Sequence, residues 1–149
     1  MTVGEICNRD VVVVRRDEPV TEAARRMREH HVGDLVVVDE KPGGRVPVGI
    51  LTDRDLVIEV IAKGVDLNAV TVGDVMSNQL LTAAEADDVA DTIKIMRAKG
   101  VRRVPVVSRN KTLAGILAVD DLLDLYSEQI ADLTALIARE QKREREKRK

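Results

Sequence analysis

One eight-residue stretch occurs twice in this chain. Residues 49–56 read GILTDRDL and residues 115–122 read GILAVDDL. An internal repeat constrains a fold more than any single element, because the unit that one copy builds the other must build too. The correspondence extends well beyond the stretch itself. Val3-Gly4-Glu5-Ile6 matches Val72-Gly73-Asp74-Val75, Val20 matches Val89, Met27 matches Met96, Val32 matches Val101, and Val37-Val38 matches Val106-Val107, all at a shift of 69 residues. Between Gly49 and Gly115 the shift falls to 66. The three missing residues lie where Lys41-Pro42-Gly43-Gly44 gives way to the shorter Arg109-Asn110-Lys111, a turn between two apolar runs, where length changes are tolerated.

The apolar pattern predicts the same elements in each half. Residues 11–14 are four valines, a short β-branched run that reads as a buried strand. Pro19 opens a helix, where its missing N–H costs nothing, and Val20, Ala23, Ala24 and Met27 form one apolar stripe along it. Gly33 and Asp34 are expected to break that helix. Residues 35–38 and 46–51 then read as a hairpin across a Pro-Gly-Gly turn, and residues 53–63 as a second helix closed by Gly64. In the second half the expected elements are a strand at 80–82, a helix at 87–99 closed by Gly100, a hairpin of 104–107 with 113–117, and a helix from about Val119. Each half reads strand, helix, strand, strand, helix. Neither half, at about 65 residues, buries much core alone, so two sheets sharing one core are expected.

The repeated stretch is also where chemistry is expected. It ends a strand and starts a helix, with Thr52 at the turn and Asp53, Arg54 and Asp55 after it. Thr52 and Asp53 suit an N-cap, whose side-chain oxygen accepts from the unpaired amides of the first turn. Capping does not by itself call for Asp55. Thr52 and Asp55, three residues apart, project from nearly one side of that turn, beside the positive end of the helix dipole. A hydroxyl and a carboxylate so placed suit a ligand that carries phosphate and sugar hydroxyls. In the second copy the acid returns as Asp121, but Thr52 is replaced by Ala118.

Composition narrows the alternatives. Apolar residues make up 44% of the 149, so a core can be built, but aromatic residues make up 1%, a single Tyr126. Without aromatic faces there is no platform for stacking the bases of single-stranded nucleic acid. The net charge is −2, with seven Lys or Arg against three Glu in residues 139–149 and therefore −6 on the rest. That basic end reads as a solvated helix end that frays beyond Arg139, rather than a nucleic-acid arm. The single Cys7 excludes an internal disulfide, no basic-then-apolar leader opens the chain, and no apolar run reaches the ~20 residues of a membrane span. A cytoplasmic, soluble protein is expected. No Gly-rich phosphate loop or Cys–His pairing is present, and His30-His31 read as polar residues at a helix end, so catalysis and a metal site are not expected. Leu123, Tyr126, Ile130, Leu133 and Ile137 follow at steps of 3, 4, 3 and 4. That heptad stripe fits either a helix pairing with another chain or one folding back on its own domain.

Two units ending in GILTDRDL and GILAVDDL, with VGDLVVV and VRRVPVV in their middles and VGEI and VGDVM near their starts, resemble a tandem pair of CBS domains, the regulatory unit often called a Bateman module. The resemblance covers residues 3 to about 126. It implies an α+β fold of two β-α-β-β-α repeats, residues 1–66 and 67–126, packed by pseudo-two-fold symmetry, with residues 127–149 as a charged helical extension. It also implies two clefts that take adenosine-containing ligands such as AMP, ATP, NAD or S-adenosylmethionine. On that likeness Asp55 and Thr52, with the nearby cation Arg54, serve one cleft together with Leu81 and Val101. Asp121 serves the other with Val12 and Val32. Arg102 and Arg103 stand where the family often holds phosphate, while the first half has Gly33 and Asp34 there, a departure from the pattern. From this the Asp121 cleft is expected to depend on phosphate, and the Asp55 cleft on ribose and base. The implied function is a non-catalytic sensor, with AMP as the foremost ligand and no catalytic cofactor. It would form a homodimer and act on a separate regulated protein, without membrane or nucleic-acid binding. The alternatives are a dimerising adaptor with degenerate clefts, or a nucleic-acid-associated protein using the basic tail.

Overall fold

The structure, a computed structural model, describes residues 1–148, so Lys149 of the basic tail lies outside the described residues. The chain divides into two compact units, Met1–Leu117 and Ala118–Lys149.

The first repeat comprises helix α1 (Val3–Ile6), strand β1 (Val13–Arg15), helix α2 (Val20–His30), strands β2 (Asp34–Lys41) and β3 (Gly44–Thr52), and the short helix α3 (Asp53–Asp55), which runs on as π-helix over Leu56–Ile61. The second comprises α4 (Val72–Val75), β4 (Ala83–Ala84), α5 (Val89–Lys99), β5 (Arg103–Val107), β6 (Leu113–Ala118) and the long helix α6 (Val119–Lys147). Each repeat forms a three-stranded sheet, in the orders β1-β2-β3 and β4-β5-β6. β1 and β2 are parallel, with Val14 opposite Val37, and β4 and β5 are parallel, with Ala83 opposite Val106. Those two pairings are the same pairing displaced by the 69 residues of the repeat. The fold is therefore the expected α+β pair of repeats with a C-terminal helix.

The halves of the first unit are joined by hydrogen bonds that come in repeat-related pairs. Val3 N donates to Asp87 O at 2.8 Å and Val72 N to Glu18 O at 2.9 Å, while Gly4 N reaches Glu85 O at 2.9 Å and Gly73 N reaches Arg16 O at 2.8 Å. Asn8 N donates to Ile116 O at 2.9 Å and Ser77 N to Ile50 O at 3.1 Å. Each of these links in one direction has its equivalent in the other, which is the signature of a pseudo-two-fold axis. The segment that opens each repeat thus packs on the other repeat. Val72 and Met76 join Val14, Ala23, Met27, Leu35, Val37 and Leu51 in one buried cluster, so the core of the first repeat is completed by the second.

The repeated glycines lie where these backbones meet. A Cβ on Gly49 would sit 2.8 Å from both Met76 Sδ and Ser77 O, and one on Gly115 would sit 2.7 Å from both Asn8 O and Cys7 Sγ. Those separations are too short for any side chain, so the glycine recurs because two backbone segments meet there, and not because a turn needs it.

Several element boundaries depart from the sequence expectation. The strand expected at 80–82 lies at Ala83–Ala84, and that expected at 11–14 lies at Val13–Arg15. The apolar residues just ahead have other partners: Leu80 and Leu81 line a cavity and Val12 packs on the core cluster. Extended apolar lining and a sheet ladder look alike in sequence. Helix α2 ends before Gly33, because His31 adopts φ 53°, ψ 43° and donates its N–H to Met27 O. Helix α6 does not fray beyond Arg139; it continues to Lys147 through Arg, Lys, Glu and Gln, all strong helix formers. No described helix is long and apolar enough to cross a membrane.

Candidate functional site

Strand β3 delivers Thr52 to the start of α3, and a reciprocal cap fixes the turn. Thr52 Oγ1 accepts from Asp55 N at 3.1 Å, and Asp55 Oδ2 accepts from Thr52 N at 2.9 Å. Asp55 is therefore half of a capping box, which corrects the reading that capping leaves it unexplained. The box still leaves Asp55 Oδ1 and the Thr52 hydroxyl hydrogen available to a ligand. At the second copy only one half forms. Asp121 Oδ2 accepts from Ala118 N at 3.4 Å, and Ala118 has no side-chain oxygen to accept from the Asp121 amide in return.

A cavity of about 370 Å³ opens beside α3. Thr52, Asp53, Arg54 and Asp55 line it from the first repeat, and Ser77, Gln79, Leu80, Leu81, Val101, Arg102 and Arg103 from the second. Its size falls in the range of small-molecule sites, which are mostly apolar with a few fixed polar points. The sequence placed Thr52, Arg54, Asp55, Leu81 and Val101 around one cleft, and the structure brings all five together.

Arg102 and Arg103 require a correction. They were expected to supply phosphate contacts to the Asp121 cleft, yet both line the cavity of Thr52 and Asp55. The reason is the pseudo-two-fold crossing. Val101 and Arg102 lie in the loop between α5 and β5 and Arg103 is the first residue of β5, so the arginines follow Val101 to the far repeat's cavity. The hydroxyl and the cations therefore share one cavity, whereas the sequence expectation divided them between two clefts. Val12 and Val32, expected near a ligand, are half-buried and pack against the first repeat's core cluster.

Sequence reasoning did not assign four polar residues in or beside this cavity to it. Ser77 and Gln79 enter through a polar run just after VGDVM, which the sequence analysis did not single out. Asp53 was read only as a cap but also lines the cavity. Asp34, at the start of β2 and opposite Thr52 in the β2–β3 register, places Oδ1 3.4 Å from Arg103 Nε. Burial raises the Asp34 pKa above the usual carboxylate range; Arg103 pulls it down and Asp53 pushes it further up. Burial thus outweighs the ion pair. No group of three or more His, Cys, Asp or Glu able to hold a metal occurs among the described residues.

Comparison with known proteins agrees with this architecture. The CBS domain family model matches residues 3–62 and again 72–128. An uncharacterised protein of Methanopyrus kandleri is 38% identical over 133 residues, 89% of this chain and 66% of that protein, so the chain spans just under two thirds of that relative. Hypoxic response protein 1 of Mycobacterium tuberculosis is 34% identical over 121 residues, 81% of this chain and 82% of its own. A solved CBS domain pair in complex with 5-methylthioadenosine and S-adenosyl-L-methionine superposes with a TM-score of 0.74 at 25% identity, covering 87% of this chain and 98% of that one. Two matches in register with the two repeats, over most of the chain, show that this protein belongs to the CBS domain family.

Proposed function

We propose that the protein is a non-catalytic regulatory module whose cleft takes an adenosine-containing ligand, AMP foremost, and signals its binding to a separate protein. The observation that carries this reading is the content of one cavity: a carboxylate with a spare oxygen at Asp55, apolar walls at Leu81 and Val101, and guanidinium groups at Arg54, Arg102 and Arg103. A carboxylate accepts ribose hydroxyls through charge-assisted bonds. Guanidinium forks match phosphate geometry. Leucine and valine can hold an adenine between them where no aromatic ring is at hand. The methylthioadenosine and S-adenosylmethionine complex of the similar domain pair supports an adenosine-type ligand class.

Asp121 is the repeat equivalent of Asp55, and Val12 and Val32 are the equivalents of Leu81 and Val101 at the 69-residue shift. Repeat symmetry supports a ribose role for Asp121 at a second ligand position, weakened by the lost hydroxyl at Ala118. A homodimer belongs to the same reading, because Leu123, Tyr126, Ile130, Leu133 and Ile137 are all exposed on α6.

Calorimetry with AMP and adenosine tests the assignment. Arg103→Ala should weaken AMP about 10-fold or more, as expected for one lost bond between charged groups, and change adenosine little. Asp55→Ala should weaken both. Equal losses of AMP and adenosine in Arg103→Ala would remove the phosphate role. Unchanged binding in Asp55→Ala would remove the ribose role. Mass spectrometry of the supernatant after denaturing the purified protein identifies which adenosine ligand it carries from the cell. A dimerising adaptor with a degenerate cleft is the second reading, favoured by the half-formed cap at Ala118, and it predicts that neither ligand binds.

A further inference from the structure

Asp34 and Arg103 are the same position of the two repeats, since 69 residues separate them and each opens the middle strand of its sheet. They are also in contact, with Arg103 Nε 3.4 Å from Asp34 Oδ1. Repeat-equivalent residues can touch only where the pseudo-two-fold axis passes, so this ion pair sits on the axis. A basic residue in both copies would set two like charges against each other there. The acid in the first copy removes that repulsion and leaves Arg103 facing the cavity that holds Thr52 and Asp55.

The pair is loose. A charge-assisted N–H···O bond closes to about 2.7–2.9 Å, and here Arg103 Nε stays 3.4 Å from Asp34 Oδ1. Arg103 and Asp34 keep 28% and 21% of their side-chain surface exposed, so the contact can exchange. Arg103 is therefore held by an internal anion at the edge where an external anion would also bind.

We propose that Asp34 is a built-in competitor for ligand phosphate: it occupies the Arg103 guanidinium and so sets how strongly the cleft prefers phosphorylated over unphosphorylated adenosine ligands. This rests on the adenosine reading of the cleft and deepens it. A phosphate that engages Arg103 must displace the carboxylate or share the guanidinium with it, whereas a nucleoside without phosphate does neither. Asp34 thus lowers affinity for one ligand class only.

The test is calorimetric titration of the full chain with AMP and with adenosine, for the natural protein, Asp34→Asn, and Asp34→Asn combined with Arg103→Ala. Asp34→Ser serves as a second substitution should the first fail to fold. Removing the charge is expected to tighten AMP about five- to ten-fold, the scale of one charged contact released, and to leave adenosine within about two-fold. In the Arg103→Ala background the same substitution should no longer affect AMP. A purely structural pair would change thermal stability without altering the ratio of the two affinities. Unchanged or weakened AMP binding in Asp34→Asn, or an equal change for both ligands, overturns the proposal while the adenosine reading stands. Failure of every form to bind either ligand overturns the adenosine reading, and the competition with it.

Discussion

Thr52 and Asp55 serve the fold as well as any ligand. The same spacing of threonine and acid occurs at Thr2 with Glu5 and at Thr71 with Asp74, where the carboxylate accepts from the threonine amide at 2.8 and 3.0 Å, outside the cavity. That amide lowers the pKa of both Glu5 and Asp74. A threonine followed by an acid three residues on is thus a capping signal first, and only its neighbours make it a site. Glu18 is the clearest case of a side chain that serves the fold alone. Burial by itself would raise its pKa, but the Arg15 amide and the Arg26 guanidinium outweigh it and the net shift is downward. Arg26 also donates to Val13 O at 2.9 Å, tying α2 to β1. A carboxyl whose folded pKa lies below its unfolded value stabilises fully above the unfolded pKa, near 4.3, and loses that contribution as pH falls through the folded one. Glu18→Gln should cost about 1–3 kcal/mol at neutral pH, with the deficit shrinking below about pH 4. Urea unfolding at pH 7 and pH 3 measures this, and a deficit independent of pH would show that the charge is not what matters.

At the scale of elements, the two copies of the helix before the middle strand end by the same geometry with different residues. His31 holds φ 53° and Gly100, its repeat equivalent, holds φ 66°. An L-residue in the left-handed region pays about 1 kcal/mol that glycine does not. His31→Gly should therefore raise stability by about 0.5–1 kcal/mol, offset in part by the freer unfolded chain. A drop in melting temperature would mean that the imidazole has a role the backbone does not reveal. The helix after the repeated stretch differs more. The first copy winds as π-helix over Leu56–Ile61, while the second runs as regular α-helix for 29 residues, about 44 Å. The charged end beyond Arg139 was read as fraying, yet its Glu and Arg residues can pair along the helix, as Arg148 does with Glu144 at 2.9 Å.

For the whole molecule, the contact between repeats is the feature that a single substitution should test best. Gly49→Ala puts a methyl 2.8 Å from Ser77 O, backbone that cannot swing aside, and overpacking of that kind costs about 1–3 kcal/mol. Gly43→Ala, in the hairpin turn with nothing within 4 Å, should stay within about 0.5 kcal/mol. Equal effects of the two in denaturant titrations would contradict a tight seam at Gly49. Assembly is the other molecular property open to test. With Leu123, Ile130 and Leu133 each more than 60% exposed, light scattering at tens of micromolar should give a dimer, and Ile130→Glu with Leu133→Glu should weaken it. A dimer that persists in that variant would move the interface to the repeats, and a monomeric natural protein would remove the proposed homodimer.

The sequence by itself determined the repeat, the order of elements within it and most of the lining predicted for one candidate site. Gly-Ile-Leu, the valine runs and the helical stripes recur at one period, and local patterns of that kind survive without knowledge of the partner surface. Thr52, Arg54 and Asp55 were legible because they are contiguous, and Leu81 and Val101 because the family resemblance pairs opposite halves. What only the tertiary structure decided is which side chains meet across the axis. Arg102 and Arg103 were expected beside Asp121 and line the cavity of Thr52 and Asp55 instead, because no local signal says that the start of β5 reaches the first repeat's helix end. Asp34 looked like a defect in the phosphate pattern, and it became the partner of its own repeat equivalent once the two strands were placed side by side. Periodicity encodes which unit a residue belongs to, but a symmetry axis brings together residues that the period keeps 69 positions apart.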